Sequence, residues 1–288
     1  MKNFTFLFLI LGTLISAQNQ RFIYDYKFVS DSADITDVKS DLMYLDVTPK
    51  SSRFYSYDVY KQDSTRMADF EKQIKTSGSM NVVTFNAAKG KGFVRYAVSK
   101  EYPDYKVFLH TRIGRDGYKV LNDAPLTWKI ESEKQKIGEF NAQKATTFYQ
   151  GRKWTAWFTT DIPLQEGPYK FHGLPGLIVK ASDDKNFHVF ELAGVKKLVE
   201  PIDFSKASLT FSNNEVAVNY STYRNLFKEN RADPTKSMRQ MMSSGMVTNI
   251  RDANGNPMDM EKMMREREKS EKERQKKDNN LIDLTLLK

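Results

Sequence analysis

The sequence contains no cysteine. A disulfide bond, a thiolate metal ligand and a cysteine nucleophile are therefore all excluded. Histidine is scarce as well, with only His110, His172 and His188 among 288 residues. The chain has no Gly-x-Ser-x-Gly, His-Glu-x-x-His or glycine-rich phosphate-binding sequence, so no familiar catalytic motif indicates a reaction.

Long apolar runs are absent after the first 17 residues. That first segment has a positive start at Lys2, an apolar run over residues 4–15 and the small pair Ser16 and Ala17. The pattern is typical of a secretory signal peptide and predicts cleavage after about Ala17. No later stretch has the roughly 18 apolar residues that a spanning helix needs. We therefore expect an exported protein, periplasmic or secreted, without a transmembrane segment in the mature chain.

Charge of one sign does not dominate any large part of the sequence. The chain has 45 Lys and Arg residues against 36 Asp and Glu residues, a formal net charge of +9. A basic balance can indicate nucleic acid or an anionic surface. Here the two signs are interleaved, and an exported protein does not meet nucleic acid. We expect no nucleic-acid partner; an outer-membrane or periplasmic protein is the expected kind of partner.

Short aromatic and β-branched segments make up most of the first 200 residues. Phe22, Tyr24, Tyr26 and Phe28 alternate with other residues, which is the period of a strand. Further strands are predicted over residues 41–48, 53–60, 93–98, 106–113, 118–121, 126–131, 142–149, 153–160, 177–182 and 187–198. One short helix, over residues 63–76, interrupts them. This succession predicts a mainly β fold built as an antiparallel meander.

Several predicted strands carry aromatic residues on both faces. A strand wetted on one side does not need them, so we expect a strongly curved sheet whose concave face is apolar. The periplasmic lipoprotein-carrier fold is a half-barrel of this kind, and residues 128–145 are similar in character to its strands. This likeness is an analogy of fold and does not fix a function.

The composition changes after residue 203. A helix is predicted over residues 220–230, and a charged helix over residues 260–277. The apolar residues 281–288 are expected to dock as a final strand, or to form a loose tail. We therefore divide the chain into a signal peptide (1–17), an antiparallel β domain (18–203) and a helical, Met-rich and charged extension (204–288). That extension either packs on the sheet or trails from it.

Methionines cluster within this extension. Met238, Met241 and Met242 are spaced for one helical face, and Met246 follows one turn later. Thioethers are soft ligands that suit Cu(I), so copper handling is one hypothesis, with copper as the alternative to no cofactor. The other interpretation is an adaptable apolar stripe for core or contact surface.

The most distinctive segment consists of Gly173, Leu174, Pro175, Gly176, Leu177 and Ile178. Proline followed by glycine predicts a type II turn, with Gly176 at positive φ, leading into a buried strand. Candidate binding residues lie nearby. Arg152, Trp154 and Trp157 mix a cation with aromatic rings, although tryptophan in strands is more often core and Arg152 could instead pair with an acidic neighbour. His172 lies beside the turn, where it is a structural residue, a metal ligand with His188, or part of a catalytic site.

This hexapeptide is the signature of the GLPGLI family, which the chain resembles. Matching flanks occur at residues 137–145, 151–152, 156–158, 161–163 and 167–170. The resemblance implies an exported protein of uncharacterised function from Gram-negative bacteria, and it brings no catalytic residues with it. Where many relatives have a cysteine, this chain has Ala142.

Three hypotheses follow for the function. The first is a non-enzymatic binding or assembly protein of the cell envelope, which holds an apolar ligand or a partner segment on a curved β-sheet. The second is metal handling through the Met-rich segment. The third is a hydrolase or peptidase with a site near His172.

Overall fold

The computed structural model describes residues 19–77, 92–114, 116–200, 215–244 and 259–288, without the side chains of Phe70, Ser77 and Met241. The predicted signal peptide lies outside these ranges. Twelve strands of the described chain form one open, curved and mostly antiparallel sheet. The prediction of a mainly β, antiparallel fold is therefore confirmed. None of the helices in these ranges is both long and apolar enough to cross a bilayer.

The strands are β1 (Gln20–Val29), β2 (Val38–Val47), β3 (Ser51–Ser56), β4 (Ala97–Glu101), β5 (Lys106–Ile113), β6 (Asp116–Asn122), β7 (Lys129–Ile137), β8 (Phe140–Tyr149), β9 (Arg152–Thr159), β10 (Leu177–Asp183), β11 (His188–Lys197) and β12 (Val216–Asn219). The helices are α1 (Tyr57–Ser77), α2 (Tyr220–Ala232), α3 (Lys236–Ser243) and α4 (Met260–Lys277), followed by a short 3₁₀ turn (Leu284–Leu287).

The sheet consists of two meanders rather than one. Its order is β12-β6-β5-β4-β3-β2-β1-β11-β10-β9-β8-β7, so the first meander runs from β1 to β6 and the second from β7 to β11. They join where β1 pairs with β11, for example with Tyr26 opposite Phe190. Strand β12 adds to the far edge, parallel to β6. The long-range β1–β11 pairing makes one continuous sheet of the two halves.

The two faces of the sheet bury different aromatic sets. On the inner face, Tyr24, Tyr26, Phe54 and Phe190 are fully buried and pack ring against ring. On the outer face, Tyr44 and its neighbours lie in a second, smaller cluster where α1 packs against β2 and β3. The aromatic residues on the two faces thus have different roles. Those on the inner face form the core, and those on the outer face pack where α1 covers the sheet.

Local hydrogen bonding changes two of the predicted elements. Strand β3 ends at Ser56, because the Ser56 Oγ accepts the Val59 N–H at 3.3 Å and starts α1 where a longer strand was expected. Near the other end, Asp283 accepts the Thr285 N–H at 3.1 Å and starts a 3₁₀ turn. Residues 281–288 therefore dock without forming the expected strand.

The turn before β10 is not of type II. Gly173 has a φ of +87°, whereas Gly176 is not in the left-handed region. The Gly176 N–H donates to the Leu174 carbonyl at 2.7 Å, which closes a three-residue turn around Pro175. Glycine is needed at 176 for another reason. A Cβ there would lie 2.0 Å from the Thr159 carbonyl oxygen.

Alanine substitutions at the two glycines should therefore differ. Gly176→Ala forces backbone apart and should lower the free energy of unfolding by about 3 kcal/mol or more. Gly173→Ala has open space and meets only the cost of positive φ, about 1–2 kcal/mol. Urea denaturation of both variants measures the difference, and equal losses would contradict the close approach at Gly176.

Candidate binding cavity on the inner face

A loop of the chain itself covers part of the inner face. Residues 160–176, here called the inner loop, connect β9 to β10, and its residues 166–171 are buried. The Phe171 ring is fully buried and packs 4.8 Å from the Trp154 ring and 5.8 Å from the Trp128 ring, centroid to centroid. The concave face expected to be open for a partner is thus partly filled from within.

A buried ion pair fixes the inner loop to the sheet. The Lys100 Nζ lies 2.6 Å from Glu166 Oε2, and both side chains are 1% exposed. Glu166 also accepts hydrogen bonds from Ser52 Oγ at 3.0 Å and from the Tyr102 hydroxyl. Burial lowers the pKa of Lys100, and Glu166 opposes that shift. Because the carboxylate is fully partnered, its position in the core is specific.

A second lysine enters the core from the same loop. Lys170 is 1% exposed, and its Nζ donates to Asn122 Oδ1 at 3.2 Å. Its ammonium also lies 5.2 Å from the Tyr169 ring centroid and 5.8 Å from that of Tyr220. Burial lowers the pKa of Lys170 to about 8. This amine helps to fix the loop, but it does not line the cavity described below.

Residues 278–288, here called the C-terminal segment, cover another part of the inner face. Arg152 is its anchor: Nη1 binds Asp183 Oδ2 at 2.7 Å, and Nη2 donates at 2.6 Å to both Asn280 Oδ1 and the Leu281 carbonyl. On the other side, Asn280 Nδ2 donates to the Val29 carbonyl at 2.7 Å. The segment is therefore bonded to both meanders of the sheet.

His188 completes this anchor as a neutral side chain. Its Nε2–H donates to the Asn280 carbonyl at 3.0 Å, so its Nδ1 accepts from the Tyr26 hydroxyl at 2.7 Å. Burial, together with the positive charge of Arg152, lowers the pKa of His188 to about 3. Protonation would remove the acceptor that Tyr26 uses and place a second cation beside Arg152.

A cavity of about 270 Å³ remains between the sheet, α2, the inner loop and the C-terminal segment. Its walls are mainly aromatic and aliphatic, with Leu109, Ile282 and Leu286 among the aliphatic residues. The aromatic residues in its walls are Tyr26, Phe28, Phe93, Tyr96, Tyr169, Tyr223 and Phe227. An apolar cavity with few polar groups is the usual form of a small-molecule site.

One polar group on the cavity wall lacks a hydrogen bond. The buried Tyr96 hydroxyl has no partner of good geometry within the described part of the chain. The Tyr26 hydroxyl, which donates its own proton to His188, lies near it. Burial raises the pKa of Tyr96, so it stays protonated and can donate. A ligand with an acceptor atom would satisfy it.

A wider cleft of about 640 Å³ adjoins the cavity, and the two share Arg95, Tyr96, Thr111, Phe227 and Asp278. Of the described residues that line the cleft, six are arginines and three are acids. The arginines are Arg66, Arg95, Arg112, Arg231, Arg267 and Arg274, and the acids are Asp63, Glu271 and Asp278. The mouth of an apolar cavity is therefore positively charged.

The structure does not bring the sequence-predicted binding residues together. Arg152 anchors the C-terminal segment, and Trp154 is buried, with its Nε1–H donating to the Tyr149 carbonyl at 3.2 Å. Trp157, an odd number of positions along the same strand, points to the other face, where the Lys144 ammonium lies 6.0 Å from its ring centroid. His172 stacks on Tyr105 at 5.1 Å and does not line the cavity.

Two metal sites were predicted, one from the histidines and one from the methionines, and the structure bears on them differently. His172 Nδ1 donates to the Lys170 carbonyl at 2.9 Å, and His188 is engaged by Tyr26 and Asn280, so the two histidines have separate partners. In the described ranges no group of three or more His, Asp or Glu could hold a metal. Met238 and Met242 lie on α3, whereas Met246 and the Met241 side chain fall outside the described residues. Copper binding stays a prediction.

The motif Gly173, Leu174, Pro175, Gly176, Leu177 and Ile178 has a structural place in this arrangement. It ends the inner loop and begins β10, and its three apolar residues other than Pro175, namely Leu174, Leu177 and Ile178, are all buried. The cavity itself was not found from the sequence. The sequence feature that comes nearest to indicating the cavity is the apolar run at residues 281–287, because such a run can line a cavity as well as form a strand.

Comparison with known proteins adds a family of unknown function. Residues 148–180 match the model of a family described as "Protein of unknown function (Porph_ging)". This stretch contains Arg152, Glu166, His172 and the hexapeptide motif. The description agrees with the uncharacterised family that the motif resembles, although it does not give the GLPGLI name. A search of curated proteins found no match.

Two solved structures of PNGF-II, in space groups P21 and C2, are similar to the chain at 17% and 18% identity, with TM-scores of 0.49 and 0.48. Each similarity covers 75% of this chain and 34% of the PNGF-II chain. The chain thus spans about a third of the length of the structures it matches. Similarity at this level carries no argument about what the protein does.

Removing the anchor should loosen the C-terminal segment. Arg152→Met leaves the buried Asp183 without its cation, and we expect the free energy of unfolding to fall by about 3–5 kcal/mol. Hydrogen exchange at Leu284, whose N–H donates to the Gln150 carbonyl, should become faster. Lys153→Met, at the exposed neighbouring position, is the matched control and should change stability by less than about 0.5 kcal/mol. Equal effects would rule out the anchor.

The stability should also depend on pH through His188. Its pKa is lower in the folded protein than in the unfolded chain, so the unfolded chain binds more protons and stability is lost as pH falls below about 6.5. From pH 7 to pH 5 this one group should account for about 2 kcal/mol. Chemical denaturation of the wild type and His188→Gln at both pH values measures it. The variant should lose less stability over that interval, and an unchanged pH dependence would contradict the assignment.

Proposed function

We propose that the protein is a binding protein of the cell envelope, and that it holds a small apolar ligand carrying an acidic group in the cavity of about 270 Å³ on the inner face of the sheet, here called the inner cavity. One observation carries this proposal: an aromatic-walled cavity of about 270 Å³ adjoins a cleft lined by arginines. Its location in the envelope rests on the signal peptide predicted over residues 1–17.

The cavity walls favour an apolar ligand body. Tyr26, Phe28 and Phe227 present ring faces and edges to the space, and Leu109 and Leu286 add aliphatic surface. Transfer of apolar surface from water into such a site is favourable by about 25 cal/mol per Å². The volume is at the lower end of the range for ligand sites, so a single small molecule fits better than a lipid with two long chains.

The excess of arginines over acids in the cleft favours an acidic group on that ligand. Of the two carboxylates that line the cavity, Asp278 pairs with Arg231 and Asp283 accepts from the Tyr220 hydroxyl. Arg95 lines both the cavity and the cleft, and is therefore placed to meet a group that projects from the cavity mouth. Arg231 is already engaged by the Gln275 carbonyl at 3.1 Å, and Arg274 by Glu271 at 2.5 Å. Planar guanidinium groups bind carboxylate and phosphate oxygens with two parallel hydrogen bonds.

A partner strand on the inner face is the less favoured version of this function. The inner loop and the C-terminal segment already cover that face, and each buries an apolar residue of its own there, Phe171 and Leu286 respectively. A partner segment would have to displace the Arg152 and Asn280 hydrogen bonds. A small molecule requires no such displacement, because the cavity exists with both segments in place.

Two dyes of matched shape test the ligand class. 8-Anilinonaphthalene-1-sulfonate has an apolar body and a sulfonate, whereas N-phenyl-1-naphthylamine has the same body without the charge. We expect saturable binding of both to the folded protein, with tighter binding of the sulfonate. Fluorescence titration measures the two Kd values. Absence of saturable binding for both dyes would overturn the proposal.

Variants locate the dye. Leu109→Trp fills the cavity and should abolish binding of both dyes, while Phe108→Trp, one residue away and on the outer face, should leave it unchanged. Arg95→Gln should weaken the sulfonate selectively, by about tenfold for one lost charged hydrogen bond. Arg265→Gln, an exposed position outside the cleft, is its control. If Arg95→Gln and Arg265→Gln weakened binding of the sulfonate dye equally, the proposal that the ligand carries an acidic group would be overturned.

A further inference from the structure

A separate polar cluster lies on the outer face of the sheet. Strands β4 and β5 are neighbours, with Ala97 opposite His110 and Ser99 opposite Phe108. Ser99 and His110 are therefore diagonal neighbours whose side chains point to the same face. Glu215 directly precedes β12, and the pairing of β12 with β6 brings it beside β5. Three distant parts of the chain meet here.

The hydrogen bonds within this cluster form a chain in which Ser99 donates to His110 and His110 donates to Glu215. Glu215 Oε2 lies 2.7 Å from His110 Nδ1, so the carboxylate accepts the Nδ1–H and fixes the tautomer of the ring. The lone pair of Nε2 then accepts from the Ser99 Oγ, 2.8 Å away. A hydroxyl bonded to an imidazole, which is in turn oriented by a carboxylate, is the arrangement that activates serine as a nucleophile.

The environment keeps His110 able to accept a proton. The residue is 5% exposed, and its burial lowers the pKa of the imidazole, an effect that the hydrogen bond donated to Glu215 opposes. The positive charges of Arg53 and Lys119 lower this pKa further. At neutral pH the ring is therefore neutral, as a general base must be.

The cluster opens into a cavity of its own, of about 310 Å³, which differs from the inner cavity in its polar walls. Ser99, His110, Arg53 and Lys119 line it together with the carboxylates Asp46 and Glu101, and Asp46 is paired with Arg21 at 2.6 Å. Arg53 is the cross-strand partner of Ser99, and the Lys119 Nζ lies 3.1 Å from Glu101 Oε1. Two cations beside a nucleophile can stabilise the oxygen that becomes negative during acyl transfer, or bind an anionic group of the substrate.

We propose that Ser99, His110 and Glu215 form a hydrolytic site for small carboxylic esters that carry a negative charge. Ser99 Oγ bonds to the acyl carbon while its proton moves to His110 Nε2, and the carbonyl π electrons move to the oxygen. The ester C–O bond then breaks, and the leaving oxygen takes the proton from His110. Water, deprotonated by His110, then attacks the acyl carbon of the acyl-serine. The bond from that carbon to Ser99 Oγ breaks, Ser99 Oγ takes the proton back from His110, and the acid is released. Glu215 is a positioning residue.

A fluorophosphonate probe tests the nucleophile directly, since it modifies serines that a neighbouring base has activated. We expect intact-protein mass spectrometry to show one adduct on the folded wild type, and peptide mapping to assign it to Ser99. Ser99→Ala should lose the adduct. Ser40→Ala, at an exposed serine bonded to Asp25, should keep it. No adduct on the wild type, or an adduct at another serine, would overturn the proposal.

Hydrolysis of p-nitrophenyl esters tests the reaction and its substrate class. Ser99→Ala and His110→Asn should each lower kcat/KM by at least about 100-fold, with unchanged melting temperatures for Ser99→Ala. Glu215→Gln should lower kcat with little change in KM, which a merely structural residue would not do. The hemisuccinate should be hydrolysed faster than the acetate. Equal rates for the two esters would overturn the anionic class, and an unchanged rate in Ser99→Ala would overturn the site.

Discussion

A twelve-stranded sheet with an aromatic inner face must keep water away from that face, and the rest of the described molecule follows from this requirement. No second sheet packs against it in the ranges that the structure describes. The chain instead folds its inner loop and C-terminal segment over the face. What these two segments leave uncovered is the inner cavity. The cavity is therefore a consequence of how the inner face of the sheet is covered. Several aromatic residues in its walls also belong to the core.

Covering the face with loops brings charged side chains into the interior. The two pairs described above each bring a cation and a carboxylate into contact there. Lys100 meets Glu166, and Arg152 meets Asp183 and two oxygens of the C-terminal segment. Such pairs add little net stability, because desolvation offsets the Coulomb attraction. Their value is in specificity, since a covering segment that shifted would leave a buried charge unpaired. This gives a physical reason for the buried charged residues Arg152 and Glu166 within residues 148–180.

The sequence allowed the elements to be predicted well where a local pattern decides them. The alternation in β1 and the helical spacing around Tyr223 both predicted the observed structure. Local patterns do not predict features that depend on contacts between residues far apart in the sequence. Gly176 is required by the Thr159 carbonyl across the sheet, and the β1–β11 pairing joins opposite ends of the strand series. The polar cluster is the extreme case, because His110 is 11 positions from Ser99 and 105 from Glu215, and no motif spacing connects them.

The position of the C-terminal segment in the chain affects the order of assembly. Residues 278–288 follow all twelve strands in the chain, so the sheet can form before this segment docks, while one wall of its cavity does not yet exist. During that interval Phe28, Tyr26 and Phe227 face solvent or whatever apolar molecule is at hand. A ligand present at this stage would be enclosed when Asn280 reaches Arg152, without having to pass through the finished mouth. Loading before the C-terminal segment docks and loading afterwards are thus two different routes to the same filled cavity.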